Sequence, residues 1–195
     1  MPFGARATLS GRLVEADGAG LAARQLEVVS RPSRGAFAPK RVLTVRTGRH
    51  GGFHLLLPAG PSRRITVRYA GEAGLEGARR AALELRVCGS VLLQASPRAL
   101  RNREAVNISG RIRACGASVP RRGKLVAIQY FETEAGRWRP ILVTRTDHSG
   151  RFHTHYRFRY VSGVARIRLR AVALAEERWP YAPGSSRPVA VTVTG

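Results

Sequence analysis

The chain has 195 residues, a formal net charge of +22 and 44% hydrophobic residues. That length is enough for two small domains with separate cores, and no apolar run is long enough to span a membrane. Almost all of the positive charge is arginine, because Lys40 and Lys124 are the only lysines. So basic a surface is typical of a module that binds a polyanion, namely a cell-wall polymer, an acidic polysaccharide or nucleic acid, and such a module is the alternative to a structural role. A GC-rich coding sequence also enriches arginine over lysine.

Short runs of β-branched and aromatic residues predict β-strands along the whole chain. In chain order the runs are residues 25–29, 41–47, 63–71, 82–87, 90–95, 124–130, 152–160, 166–174 and 188–193. Several alternate apolar and polar residues, and Gly, Pro, Ser and Asp separate them. No stretch shows a sustained helical period. The sequence therefore predicts an all-β chain of antiparallel β-sandwiches with seven strands in each copy of the fold.

The chain contains an internal duplication. The segment "LSGRL" at residues 9–13 recurs as "ISGRI" at 108–112, and "RTGRHGGFH" at 46–54 recurs as "RTDHSGRFH" at 145–153. Both pairs lie 99 positions apart, a spacing that is the size of a compact domain. We expect two tandem domains, residues 1–88 and 89–195, with almost no linker at Cys88 and Gly89.

The first copy is shorter at its start than the second. Subtracting the offset from the strand at residues 90–95 gives a position before Met1. Either the first domain lacks that edge strand, or the chain is the tail of a longer protein.

Two segments of the first copy, "SGRLVEADGAGLAARQLEVV" and "TGRHGGFHLLLPAGPSRRITVRYAG", resemble carboxypeptidase regulatory-like (transthyretin-like) domains. The second copy, with "TDHSGRF" and "WPYAPGSSRPVAVTV", resembles bacterial Ig-like repeats of secreted and surface proteins. The shared motifs are turn glycines and core aromatics, which specify a fold better than an activity. The resemblance implies tandem β-sandwich repeats that serve as non-catalytic spacers or adhesive modules.

Residues 145–160 contain two patterns that could be mistaken for a reactive site. His153 and His155 lie on one face of a strand, as zinc ligands would, but a third ligand would have to come from a neighbouring strand. The flanking arginines oppose a dication, and the first copy has Leu56 in place of His155. Asp147, His148 and Ser149 are consecutive turn residues whose side chains diverge, whereas a triad needs them to converge.

No other catalytic pattern is present in the sequence. It lacks a Gly-rich phosphate loop, a G-x-S-x-G elbow and an H-E-x-x-H motif. Glu132, Glu134 and the pair Glu176-Glu177 are interpreted as charge partners of arginine, because acidic residues are few. We therefore expect no enzymatic activity, no cofactor and no metal.

Five arginines on two predicted strands are the candidate anion contacts: Arg157, Arg159, Arg166, Arg168 and Arg170. In the first strand they alternate with Phe152, Tyr156, Phe158 and Tyr160, which places the aromatic residues in the core and the arginines outside. A hairpin joining the two strands would set like charges opposite each other. We therefore expect the strands in opposite sheets, and only weak, non-specific polyanion binding.

The two cysteines suggest a disulfide. Cys88 precedes the first strand of the second domain and Cys115 follows the next strand, and these ends are neighbours in an antiparallel pair. Two unpaired thiols are the alternative. A disulfide would place the chain outside the cytoplasm, although the N-terminus shows no signal sequence. The expected partners are other domains of a longer chain or components of the cell surface.

Overall fold

The protein is described by a computed structural model that covers residues 1–33, 39–72, 76–77, 81–115 and 117–195. These residues form strands and turns, so the predicted all-β class is confirmed. No helix among them is long and apolar enough to cross a membrane. The chain divides into two compact units: unit 1 comprises Met1–Val87 with Cys115–Ala117, and unit 2 comprises Cys88–Ala114 with Ser118–Gly195. The domain bounds 1–88 and 89–195 stay a prediction.

Unit 1 contains strands β1 to β6 in two antiparallel sheets. The strands are β1 (Ala7–Arg12), β2 (Gln25–Pro32), β3 (Arg41–Arg46), β4 (Gly52–Leu57), β5 (Arg63–Arg68) and β6 (Ala81–Leu85). One sheet has the order β1-β4 and the other β3-β2-β5-β6. Both sheets supply buried residues to one core, which consists of Leu9, Leu13, Leu26, Val28, Phe53, Leu57, Ile65 and Tyr69. Unit 1 is therefore a small β-sandwich.

Unit 2 contains strands β7 to β15. They are β7 (Ser90–Ser96), β8 (Ala99–Arg101), β9 (Ala105–Arg113), β10 (Leu125–Glu132), β11 (Arg137–Arg145), β12 (Arg151–Arg157), β13 (Val164–Ala173), β14 (Gly184–Ser185) and β15 (Val189–Thr194). One sheet has the order β12-β9-β7, and the other β11-β10-β13-β15-β8, with β14 beside β13. All pairs are antiparallel except β15 with β8.

The core of unit 2 lies between these two sheets, since β7 lies against β13 and β15. Fully buried residues come from both sheets, namely Val106, Ile108, Ile112, Val126, Ile128, Leu169, Ala171, Val191 and Val193. Trp179 and Tyr181, in the connection before β14, are also buried, with ring centroids 4.9 Å apart. Unit 2 is thus the larger β-sandwich.

The duplicated motifs occupy matching positions in the two units. Gly11 pairs with Phe53 between β1 and β4, and Gly110 pairs with Phe152 between β9 and β12. Phe53 is 7% exposed and Phe152 is 4% exposed. A Cβ atom at either glycine would collide with the ring opposite, 2.7 Å away at Gly11 and 2.3 Å away at Gly110. The glycine of each Ser-Gly-Arg segment therefore makes room for a core phenylalanine.

The strand count differs from the seven expected for each copy. Among the described residues unit 1 has six strands and unit 2 has nine. β8 and β14 are too short to show alternation. β11 escaped detection because Pro140 interrupts its pattern, and the pairing with β10 shifts register next to it. A proline is tolerated there because β11 is an edge strand.

Tyr160 lies outside the core, contrary to the sequence prediction. It was expected in the core with Phe152 and Phe158, but 95% of it is exposed. β12 ends at Arg157, so the alternation of faces does not continue to Tyr160.

Candidate anion-binding face and other site residues

The Asp147-His148-Ser149 segment is a turn, as predicted. One carboxylate oxygen of Asp147 accepts hydrogen bonds from Ser149 N–H at 2.8 Å, Ser149 Oγ at 2.8 Å and Arg151 N–H at 2.9 Å. The Ser149 hydroxyl is the first cause of the lowered pKa of Asp147. The backbone closes in the same way in both units, because Asp147 N–H donates to Arg151 O and Gly48 N–H donates to Gly52 O, both at 2.7 Å.

The His153 and His155 side chains are exposed on β12. Their partners on β9 are Ser109 and Asn107, which offer neither an imidazole nor a carboxylate at these positions. Within the described part of the chain no group of three His, Cys, Asp or Glu residues is arranged to hold a metal ion.

Lys124 forms a buried ion pair that the sequence interpretation missed. Its side chain is 0% exposed, and Nζ donates to Glu176 and to the backbone oxygen of Leu174. Leu125 N–H also donates to Glu176, at 3.0 Å. The ring of Trp179 has its centroid 5.6 Å from Nζ. A clue in the sequence was that Lys124 is one of two lysines among many arginines.

A similar arrangement exists in unit 1. Arg24 N–H donates to Thr47 Oγ1 and Lys124 N–H donates to Thr146 Oγ1, both at 2.9 Å. Arg24 in turn forms an ion pair with Glu72 at 2.7 Å. Arg24 and Glu72 are partly exposed, whereas Lys124 is enclosed. In both copies, therefore, a threonine hydroxyl accepts a hydrogen bond from the backbone N–H of a basic residue. The side chain of that basic residue pairs with a glutamate.

Burial sets the ionisation of the Lys124 pair. Desolvation lowers the pKa of Lys124 and outweighs the hydrogen bond and the charge of Glu176. Desolvation acts to raise the pKa of Glu176, but hydrogen bonds from Lys124 and Leu125 together with the charges of Lys124 and Arg145 hold that pKa below its ordinary value. A lowered pKa keeps Glu176 ionised at neutral pH, so it remains an acceptor for the lysine.

The five candidate arginines fall into two groups on different sheets. Arg157 ends β12 in the three-stranded sheet, and Arg159 follows it outside any strand. Arg166, Arg168 and Arg170 lie on β13 in the larger sheet. The expectation that the two strands belong to separate sheets is confirmed.

The β13 arginines share their face with aromatic residues, unlike the arginines of residues 152–160, whose aromatic neighbours were expected on the opposite face. Arg168 Cζ is 4.0 Å from the ring centroid of Phe131, and Arg170 Cζ is 4.2 Å from that of Trp138. The two rings meet edge to face at 5.3 Å. We call Gln129, Phe131, Trp138, Arg168 and Arg170 the stacked-arginine face. Alternation along β10 does not reveal this face, because the consecutive residues Val126, Ala127 and Ile128 are all buried.

The arginines of the stacked-arginine face and the arginines beside Glu132 differ in their charged partners. Arg170 Nε donates to Gln129 Oε1 at 2.8 Å, and burial lowers the pKa of Arg170. In the described chain no carboxylate forms an ion pair with Arg168 or Arg170. Glu132, by contrast, is paired with Arg139 Nε at 2.5 Å and Arg137 Nε at 3.5 Å, as its interpretation as a charge partner predicted.

Cys88 is exposed and Cys115 is partly exposed. In the pairing of β7 with β9, Ser90 is opposite Arg113. Each cysteine lies two residues beyond this pair. A disulfide between them stays a prediction.

No protein-family model matches the sequence, and no curated protein is similar to it. Solved structures similar to the chain include the adhesin InvE of Yersinia pseudotuberculosis, with 12% identity and a TM-score of 0.41 over 98% of this chain and 56% of that one. The D0-D1 domain of intimin has 12% identity and a TM-score of 0.37 over 97% and 93%. Escherichia coli alpha-2-macroglobulin has 14% identity and a TM-score of 0.39 over 98% and 13%. The chain thus spans about half of the InvE chain and a small part of the macroglobulin.

Proposed function

We propose that the chain is a non-catalytic structural spacer or adhesion module of a secreted or cell-surface bacterial protein. The observation that carries this proposal is how the polar residues of the duplicated motifs are used. Thr47 and Thr146 hold the backbone of a neighbouring cation, and Asp147 closes a turn with three hydrogen bonds. These polar side chains are thereby engaged in holding the backbone in both copies and a turn in the second.

The repeated Gly–Phe pair supports the same proposal. A module that serves as a spacer needs a fold that can be duplicated, and the pair preserves one strand register in both units while most other residues differ. The narrower assignment of the first copy to carboxypeptidase regulatory-like domains, and of the second to bacterial Ig-like repeats, is part of this proposal and rests on the sequence motifs.

Location on the cell surface is testable without knowing a ligand. Antibodies raised against residues 1–195 should label intact cells of the native host, and a cytoplasmic protein of those cells should be labelled only after permeabilisation. Labelling of the chain only after permeabilisation would contradict the extracytoplasmic assignment.

A replacement experiment separates a spacer from an adhesion module. In the native protein, residues 1–195 are exchanged for an unrelated tandem β-sandwich of equal length. A spacer predicts that cell attachment and the activity of the remaining domains persist. An adhesion module predicts that attachment alone is lost. Loss of a chemical reaction upon replacement, restored by adding the isolated chain, would refute both roles.

A further inference from the structure

The stacked-arginine face combines fixed cations with an absence of internal anions. Arg168 lies over Phe131 and Arg170 over Trp138, at 4.0 and 4.2 Å from the ring centroids. Stacking restricts a guanidinium while leaving N–H groups at its edge to donate. In Arg170 one of these groups, Nε–H, is already bonded to Gln129, and the terminal N–H groups are the contact groups of the proposal. In the part of the chain that the structure describes, no carboxylate is paired with either arginine. Such groups are preorganised for an external anion, because little side-chain freedom is left to lose upon binding.

The spacing of these cations favours a polymer over a single small anion. Arg166, Arg168 and Arg170 alternate on β13, so their Cα atoms are about 6.6 to 6.8 Å apart along the strand. The first two are exposed and the third is half-buried. A straight row of this kind matches a chain that carries one negative charge on each of several successive units.

The aromatic residues decide between two kinds of polymer. Proteins that bind single-stranded nucleic acid present bare rings on which bases stack. Here Phe131 and Trp138 each have an arginine over the ring and contact each other edge to face at 5.3 Å. The rings therefore support the arginines, and the guanidinium edges are left as the contact groups. Paired N–H donors of this kind match the oxygens of a carboxylate, as they also match those of a phosphate.

We propose that the stacked-arginine face binds a linear acidic polysaccharide through carboxylates on successive sugar residues. Arg168 and Arg170 donate to these carboxylates, Arg166 extends the row, and Phe131 and Trp138 position the two guanidiniums. This site goes beyond the structural role proposed above and does not depend on it, since a spacer and an adhesion module could both carry it.

The test compares two double variants that remove the same charge. Polygalacturonate is the probe, and its affinity for the whole chain is measured by calorimetry at 0.15 M salt. Arg168→Gln with Arg170→Gln should weaken binding about tenfold or more, since two charge-assisted hydrogen-bonding groups are lost. Arg157→Gln with Arg159→Gln, outside the larger sheet, should change the affinity less than twofold. Equal losses in both variants would show that net charge alone is responsible and would overturn the proposal.

A third variant tests the positioning role of the rings. Trp138→Leu keeps every charge but removes the support of Arg170, so it should weaken binding and leave the thermal unfolding temperature close to that of the parent chain. Unchanged affinity would contradict the role of stacking. Single-stranded oligo(dT) at the same charge concentration is the comparison polymer. Tighter binding of oligo(dT) with the same dependence on Arg168 and Arg170 would overturn the polysaccharide assignment in favour of nucleic acid.

Discussion

Gly11 and Gly110 occupy matching positions, but the space around them differs. A Cβ atom at Gly11 would meet only the ring of Phe53, whereas at Gly110 it would lie 2.2 Å from the backbone oxygen of Leu92 as well as against Phe152. A ring can shift by a small rotation, but a paired strand cannot. The extra strand β7 therefore makes the second glycine harder to replace.

Gly110→Ala should destabilise unit 2 by about 3 kcal/mol or more, at the upper end of the cost of overpacking, and Gly11→Ala should cost unit 1 about 1 kcal/mol. Both tryptophans, Trp138 and Trp179, belong to unit 2. Urea titration followed by tryptophan fluorescence therefore reports on unit 2, and circular dichroism reports on both units. If Gly110→Ala and Gly11→Ala shifted the fluorescence transition equally, the account of a tighter backbone contact at Gly110 would be wrong.

For the buried ion pair of Lys124, removing one partner should lower the free energy of unfolding more than removing both charges. With Glu176→Gln, the enclosed ammonium loses its counter-charge but remains buried. We expect a loss of roughly 1.5 to 3 kcal/mol, the scale of hydrogen bonds to charged groups. The double variant Lys124→Met with Glu176→Gln should lose less, because the unpaired charge is gone. A larger loss in the double variant than in the single one would contradict this account.

At the level of elements, alternation predicted most strands but not which strands are neighbours. Val28, Ile65 and Leu169 are buried as their patterns required. The stacked-arginine face was missed because it depends on β10 lying between β11 and β13, and β11 was hidden by Pro140. Parity along one strand gives the face of a residue, but pairing between strands decides its neighbours. The Lys124 pair was missed for the same reason, since Glu176 lies 52 positions away.

The start of β7 and the end of β9 carry the disulfide prediction. The sequence interpretation pairs Cys88 with Cys115, and a disulfide requires their Cα atoms to lie about 4.4 to 6.8 Å apart. Thiol labelling of unfolded, unreduced protein from the native host should therefore detect no free cysteine. Two labelled cysteines would contradict the bridge and weaken the proposed location outside the cytoplasm.

For the molecule as a whole, the large positive charge makes its few carboxylates important. Glu132, Asp147 and Glu176 each have a pKa below the ordinary value: Glu132 through its hydrogen bond from Arg139, Asp147 through that from Ser149, and Glu176 because the Lys124 pair outweighs desolvation. Protonating any of them removes a partner of a cation or of a turn.

Stability should fall in acid for this reason. A lowered pKa in the folded state means that the unfolded chain binds more protons, so the stabilisation is complete above about pH 4.5 and is lost as the pH falls through the folded pKa values. Urea titrations at pH 6, 4 and 3 should show a decreasing free energy of unfolding. The Glu176→Gln variant should lose less between pH 6 and pH 3 than the parent chain. A constant free energy across this range would contradict the prediction.

The shared register of β1 with β4 and β9 with β12 also bears on how the chain folds. Either glycine-bearing strand has a register that fits either phenylalanine-bearing strand, so the unfolded chain can form crossed pairs between its two copies. The crossed pair of β1 with β12 would set Ala7 opposite Tyr156, where the native pair has Val106. Ala7 is smaller than Val106 and would fill less space beside the ring of Tyr156. Divergence between the copies thus favours correct pairing during folding, while the glycine and the phenylalanine keep the shape they share.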